Sequence, residues 1–263
     1  MSVVFAAFTP HSPLLLPSIG KEKTAALQKT RHALATIEQN LYLAKPHTIA
    51  IISPHVGLHD DAYVVNGDTT LNARLSEFGD MNTHFAWSGT PPLAAQITSL
   101  AEQRRVPVRL VSGQTVDHGC AVPLSFLTTH LSSIKILPIG FSNRSREDHF
   151  LFGAFLREAF LESGKRVAVI ASGDLSHAIT PHSPADFSPE GKLFDTELRQ
   201  YLSSKEIKKI LAIDKTAQKK ATECGYRSLL ILLGIIQDMP YHFEEYAYEA
   251  PFGVGYCTGE FLW

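Results

Sequence analysis

Short apolar runs, each stopped by Ser, Thr, Pro or Gly, recur along the chain at residues 3–8, 49–52, 108–111, 134–139 and 167–171. They are rich in β-branched residues and too short for buried helices, so they predict interior strands. Between them the apolar positions take helical spacing. Residues 21–44 place Leu27, Leu34, Ile37 and Leu41 on one face, a crossover helix between two parallel strands. Further helices are predicted at 93–103 behind Pro91-Pro92, from 121 to about 127, and at 146–162, 191–202 and 204–213. A nearly all-apolar stretch, 229–236, predicts a helix buried all round, opened by Thr222-Glu223-Cys224-Gly225. Residues 63–87 are polar with Asn66-Gly67-Asp68 and Phe78-Gly79-Asp80 turns, predicting short strands in a loop or edge hairpin. The tail from 241 alternates and returns as a strand over 253–261.

No linker, low-complexity tract or fixed-period repeat divides the chain, which predicts one α/β domain over residues 1–263. Its central sheet is expected to be mostly parallel or mixed, with helices on both faces. In such sheets ligands bind beyond the carboxyl ends of the strands, and that edge carries this chain's histidines. The first run ends in Thr9-Pro10-His11. The second ends in Ser53-Pro54-His55, followed by His59, Asp60 and Asp61. Asp117-His118-Gly119 follows the third, and Ser172-Gly173-Asp174-Leu175-Ser176-His177 the last. His59, four residues from His55, would pair with it on a helix, but Gly57 between them favours a loop.

Composition narrows the chemistry. With 263 residues, 44% apolar content and a formal net charge of -2, the chain reads as soluble and globular and shows no basic surplus for nucleic acid. No stretch approaches the roughly 20 apolar residues that a bilayer span needs. Three widely separated cysteines, Cys120, Cys224 and Cys257, suggest a reducing compartment, and a cytoplasmic home is expected. A homodimer is the default expectation for a soluble enzyme. The 12 histidines are enough to ask what they do.

Taken together, Thr9-Pro10-His11-Ser12-Pro13, Ser53-Pro54-His55, Asp117-His118-Gly119 with Val122-Pro123-Leu124, and Ser172 to His177 resemble the class III extradiol ring-cleavage dioxygenases. That family includes the catalytic subunit of protocatechuate 4,5-dioxygenase. The ending Pro251-Phe252-Gly253-Val254-Gly255-Tyr256 is similar to the wider superfamily that holds the Memo-like proteins. The resemblance spans nearly the whole chain and implies a single catalytic domain that uses non-heme iron(II) to open a catechol-type aromatic ring with dioxygen, as in aromatic catabolism.

Residue by residue, the resemblance implies that His11 and His55 ligate the metal and that Glu223 completes the set with a carboxylate. Two imidazoles and a carboxylate hold a divalent ion and leave neighbouring positions open. The resemblance also implies that His177 is the acid-base residue and that His118 bonds a substrate hydroxyl or the oxygen. Asp117 and Asp174 either orient an imidazole or cap their own loops. In the Memo-like branch a cysteine takes the third place, and here Cys224 adjoins Glu223; the preference of iron(II) for hard ligands favours Glu223. Two alternatives stay open, a zinc-dependent hydrolase using the same ligands and a Memo-like metal-binding or redox protein without ring cleavage.

Overall fold

The computed structural model describes residues 2–57, 59–113 and 115–263. Among them ten strands form one mixed sheet: β1 (Val3–Thr9), β2 (Thr48–Ser53), β3 (Tyr63–Asn66), β4 (Thr70–Leu75), β5 (Asp80–Gly89), β6 (Val108–Val111), β7 (Lys135–Gly140), β8 (Val167–Ser172), β9 (His242–Glu249) and β10 (Tyr256–Leu262). Strand order is β4-β5-β7-β2-β8-β1-β10-β9, and β3 pairs with both β6 and β7 off that path. The centre, β7-β2-β8-β1, is parallel, and β10 closes against β1 antiparallel.

The helices are α1 (Pro17–Gly20), α2 (Gln28–Ala44), α3 (Pro91–Arg104), α4 (His118–Leu127), α5 (Arg146–Ser163), α6 (Pro189–Ser203), α7 (Ile207–Leu211), α8 (Lys215–Ala221) and α9 (Tyr226–Ile236). Alternate residues of each central strand enter two separate cores. Ala6, Phe8, Ala50, Ile52, Val169 and Ala171 pack with α3, α5, α6 and α9. Their neighbours Phe5, Ala7, Ile49, Ile51, Ala168 and Ile170 pack with α2 and α4. Side chains alternate across a strand, so a strand apolar at every position must be covered on both faces, and this one is. The expected fold class stands: one α/β domain with helices on both faces of a mixed sheet.

Local departures have local causes. The expected helix over 21–44 is a 3-10 turn over Lys21–Leu27 that becomes α-helical only at Gln28. Residues 63–87 form three strands, of which β4 and β5 make the edge hairpin. The single helix expected over 204–213 is only Ile207–Leu211, and α8, which sequence spacing did not reveal, follows it. Asp214 restarts the helix by accepting the amide of Ala217 at 2.7 Å, a side-chain cap that satisfies an otherwise orphaned donor.

Candidate metal centre

β2, β8 and β1 lie side by side and point the same way, so the loops leaving them meet at one edge. His55 follows β2, His177 follows β8 and His11 follows β1. In the parallel register Thr9 faces Ser172, which brings the His11 ring to the Ser172 hydroxyl: Nδ1 lies 3.0 Å from Oγ. The Ser172 hydroxyl itself donates to the carbonyl of Gly119. Its single proton is thereby used, so Oγ must accept from Nδ1, and the His11 imidazole is the Nδ1–H tautomer. Nε2 then carries a free lone pair.

His118 arrives by another route. It is the first residue of α4, whose N-cap is Asp117. The Asp117 carboxylate accepts from the Cys120 amide at 3.1 Å and the Ser53 hydroxyl at 2.7 Å, and Ser53 Oγ accepts from the His55 amide at 3.2 Å. Asp117 therefore ties the His55 loop to the helix of His118 through backbone and hydroxyl groups, with no hydrogen bond to an imidazole among the described residues. Gly119 is required here because a Cβ would sit 2.4 Å from Ser53 Oγ. The rings of His11, His55 and His118 have centroids 5.2, 5.3 and 4.3 Å apart, and their ligand atoms all lie within 4.8 Å of one another. Two nitrogens bound to one ion at about 2.1 Å can be no more than about 4.2 Å apart. Rotation of the exposed His55 ring would bring the nitrogens within that span, so the trio could hold a metal.

Glu223 is not at this trio. Its Oε1 accepts from Gln218 Nε2 and its Oε2 from the Tyr226 amide, both at 2.7 Å. It caps the start of α9. The side chain beside the imidazoles is Cys224, whose Sγ is 3.4 Å from His11 Nε2. Sulfur and nitrogen on one tetrahedral ion are about 3.5 Å apart, so the thiol stands at ligand spacing. Glu223, expected as the carboxylate ligand, carries a hydrogen bond on each oxygen and does not line this cavity; the chain turn presents the next residue there. That turn passes through Thr222, held at φ 52°, a conformation a β-branched residue rarely adopts. The turn is pressed against the β8 loop. Cys224 and Gly225 amides donate to the Asp174 carbonyl at 3.2 and 3.0 Å, and a Cβ on Gly173 would lie 2.0 Å from Gly225 Cα.

Asp174 holds the other side. Its Oδ1 accepts the His11 amide at 2.9 Å, and its Oδ2 is 4.0 Å from His177 Nε2. Burial pushes this carboxyl up to about 6, against the opposing influence of His177 and the His11 amide. Burial, then His55, His118 and His177, hold the His11 imidazole well below its ordinary value, which keeps it neutral and able to ligate. Burial, then Asp174, raises the Cys224 thiol. His177 Nδ1 is buried with no partner among the described residues. His59 stands apart: it bridges to Ser142 and does not line the cavity.

That cavity, about 320 Å³, has His11, His55, His118, His177, Asp174 and Cys224 on its polar side. Pro13 and Leu14 of the first loop, Pro184 of the 178–189 segment, and Phe252 and Val254 of the tail supply apolar walls. It is at the small end of the roughly 300–1,000 Å³ typical of small-molecule sites. Sequence reasoning missed Ser172 as the partner of His11; its place at the carboxyl end of a strand parallel to β1 was the signal.

Residues 5–259 match the sequence profile of the family described as the catalytic LigB subunit of aromatic ring-opening dioxygenase. Protein CA_C1420 of Clostridium acetobutylicum is 29% identical over 256 residues, 94% of this chain and 55% of that one, so the chain spans little more than half the length of this relative. A MEMO1 family protein of Methanococcoides burtonii is 26% identical over 237 residues, 84% of this chain and 82% of that one. The 2,3-dihydroxyphenylpropionate/2,3-dihydroxicinnamic acid 1,2-dioxygenase of Paraburkholderia xenovorans is 31% identical over 113 residues, 41% of this chain and 36% of that one. No helix among the described residues is long and apolar enough to cross a membrane.

Proposed function

The chain belongs to the family of the catalytic LigB subunit of aromatic ring-opening dioxygenase, and from that premise we propose that it opens a catechol-type ring with dioxygen, using iron(II) held at the imidazole cluster. Iron(II) would supply a single centre able to take both ring oxygens and dioxygen and to spread the charge of the reaction. The observation that carries this reading is the convergence of three imidazoles, with His11 held as the Nδ1–H tautomer, on one side of a small cavity that also has an apolar wall.

The residues then divide the work. His11, His55 and His118 are the metal ligands, with Cys224 rather than Glu223 beside them. Pro13, Leu14, Phe252 and Val254 hold the flat face of the ring and exclude water. His177 takes a proton from a ring hydroxyl and returns it after oxygen is incorporated; the Asp174 carboxylate lies 4.0 Å from its Nε2. Asp174, by holding the His11 amide, keeps ligand and proton carrier in fixed relation.

A second reading is favoured by one observation, the thiol 3.4 Å from His11 Nε2, together with the MEMO1 relative. Cysteine prefers softer ions than iron(II), and a Memo-like metal-binding or redox protein without ring cleavage, or a zinc hydrolase, would follow. Anaerobic purification with metal analysis, then iron(II) reconstitution and oxygen uptake over a panel of catechols, separates them. Ring opening that requires iron(II) is the expected result; tightly held zinc with no oxygen uptake would sink it. Within the same assay Cys224→Ser is expected to weaken metal retention about 10–100-fold, while Glu223→Gln leaves it unchanged. The reverse pattern would restore the carboxylate as ligand.

A further inference from the structure

Cys224 has a cavity on each side of it. One is the histidine cavity, whose lining includes no lysine or arginine. The other, about 300 Å³, is lined by Lys215, Lys219 and Arg227 together with Gln218, Glu223 and Cys224 itself. Lys215 and Lys219 are one turn apart on α8 and so share a face. Neither makes an ion pair among the described residues. Arg227, on the first turn of α9, reaches only neutral acceptors, Ser142 O at 3.3 Å and Asn143 Oδ1 at 3.1 Å. The one acid in the lining, Glu223, has both oxygens engaged by Gln218 and the Tyr226 amide. Gln218 in turn is held by Arg146, which donates to its Oε1 at 2.5 Å, so the amide that meets Glu223 cannot turn away.

Three cations against one carboxylate, Glu223, leave the concavity with surplus positive charge that attracts anions, and low-dielectric walls concentrate it. We propose that this second cavity is an oxyanion subsite, taking a carboxylate or phosphate group by charge-assisted hydrogen bonds from Lys215, Lys219 and Arg227. Two sources present that chemistry: an anionic substituent of the ring compound whose reactive end reaches the histidines past the shared thiol, or a separate small oxyanion. Binding of the oxyanion is independent of the ring-opening function; only the first source rests on that function.

Titration of the purified protein with inorganic phosphate, followed by calorimetry, tests it. Saturable binding is expected that weakens with added salt, weakens about tenfold or more in Lys215→Gln/Lys219→Gln and in Arg227→Gln, and persists in His11→Ala. Circular dichroism of each variant confirms that it is folded; the exposed lysine pair is the safeguard should Arg227→Gln fail to fold. If 3,4-dihydroxybenzoate displaces phosphate and catechol does not, the anion is a substituent of the substrate; if neither displaces it, the oxyanion is a separate ligand. Absence of saturable binding, equal binding in the lysine double variant, or loss of binding in His11→Ala would overturn the subsite. None of these readings needs turnover, so a failure of the ring-opening function is seen separately.

Discussion

The two halves of the proposed metal centre are built differently. His11 sits at the end of a central strand, 3% exposed, with its amide on Asp174, its Nδ1 on Ser172 and its Nε2 facing Cys224. His55 and His118 stand on the opposite side, His55 exposed and His118 half-buried. Apart from the other two imidazoles, the His118 ring lies 3.9 Å from Glu77 and against Phe78, with centroids 4.9 Å apart. The inner half is held before any ligand arrives; the outer half can adjust. A centre made this way fixes one coordination direction in the sheet and leaves the others free to close around an ion and a guest, which is how a rigid scaffold commonly supports a reactive loop.

That contrast can be broken at three strengths. His11→Ala is expected to be most damaging, taking the metal content of the purified protein from near one per chain to near zero, as read by elemental analysis. Retained metal at full occupancy would mean the inner half is dispensable. Ser172→Ala comes next: removing the acceptor that sets the His11 tautomer is expected to weaken metal affinity about 10–100-fold, measured by competition with a chelator, with the fold intact. Glu77→Gln should matter least. Its pairing with His118 is long and mostly solvent-exposed, so a change of roughly twofold or less in affinity is expected. An effect as large as that of Ser172→Ala would show the outer half to be as firmly held as the inner.

The same division explains what the sequence disclosed. β1, β2 and β8 were legible because strands buried on both faces are apolar at every position, and His11, His55 and His177 were legible because they follow those strands directly. His118 follows no strand directly but opens α4, and helix capping by Asp117 reads in the sequence the same as loop capping. Glu223 and Cys224 were separated only by the coordinates. Which of two adjacent residues faces a site depends on a turn through left-handed Thr222, and a β-branched residue gives no warning of that conformation. The cationic cavity was invisible for a related reason: α8, which carries two of its three cations, is a short helix with no apolar period long enough to register.

The thiol and the first imidazole are 213 residues apart in the polypeptide, and β1 lies between β8 and β10 in the sheet. A ribosome must therefore deliver most of this chain before the inner ligands can meet, and contacts of such long range close slowly. Nascent fragments ending before residue 224 would carry His11, His55 and His118 without the thiol that completes the pocket wall. A pocket complete with its thiol wall is thus a late product of folding, one that distinguishes finished molecules from truncated ones.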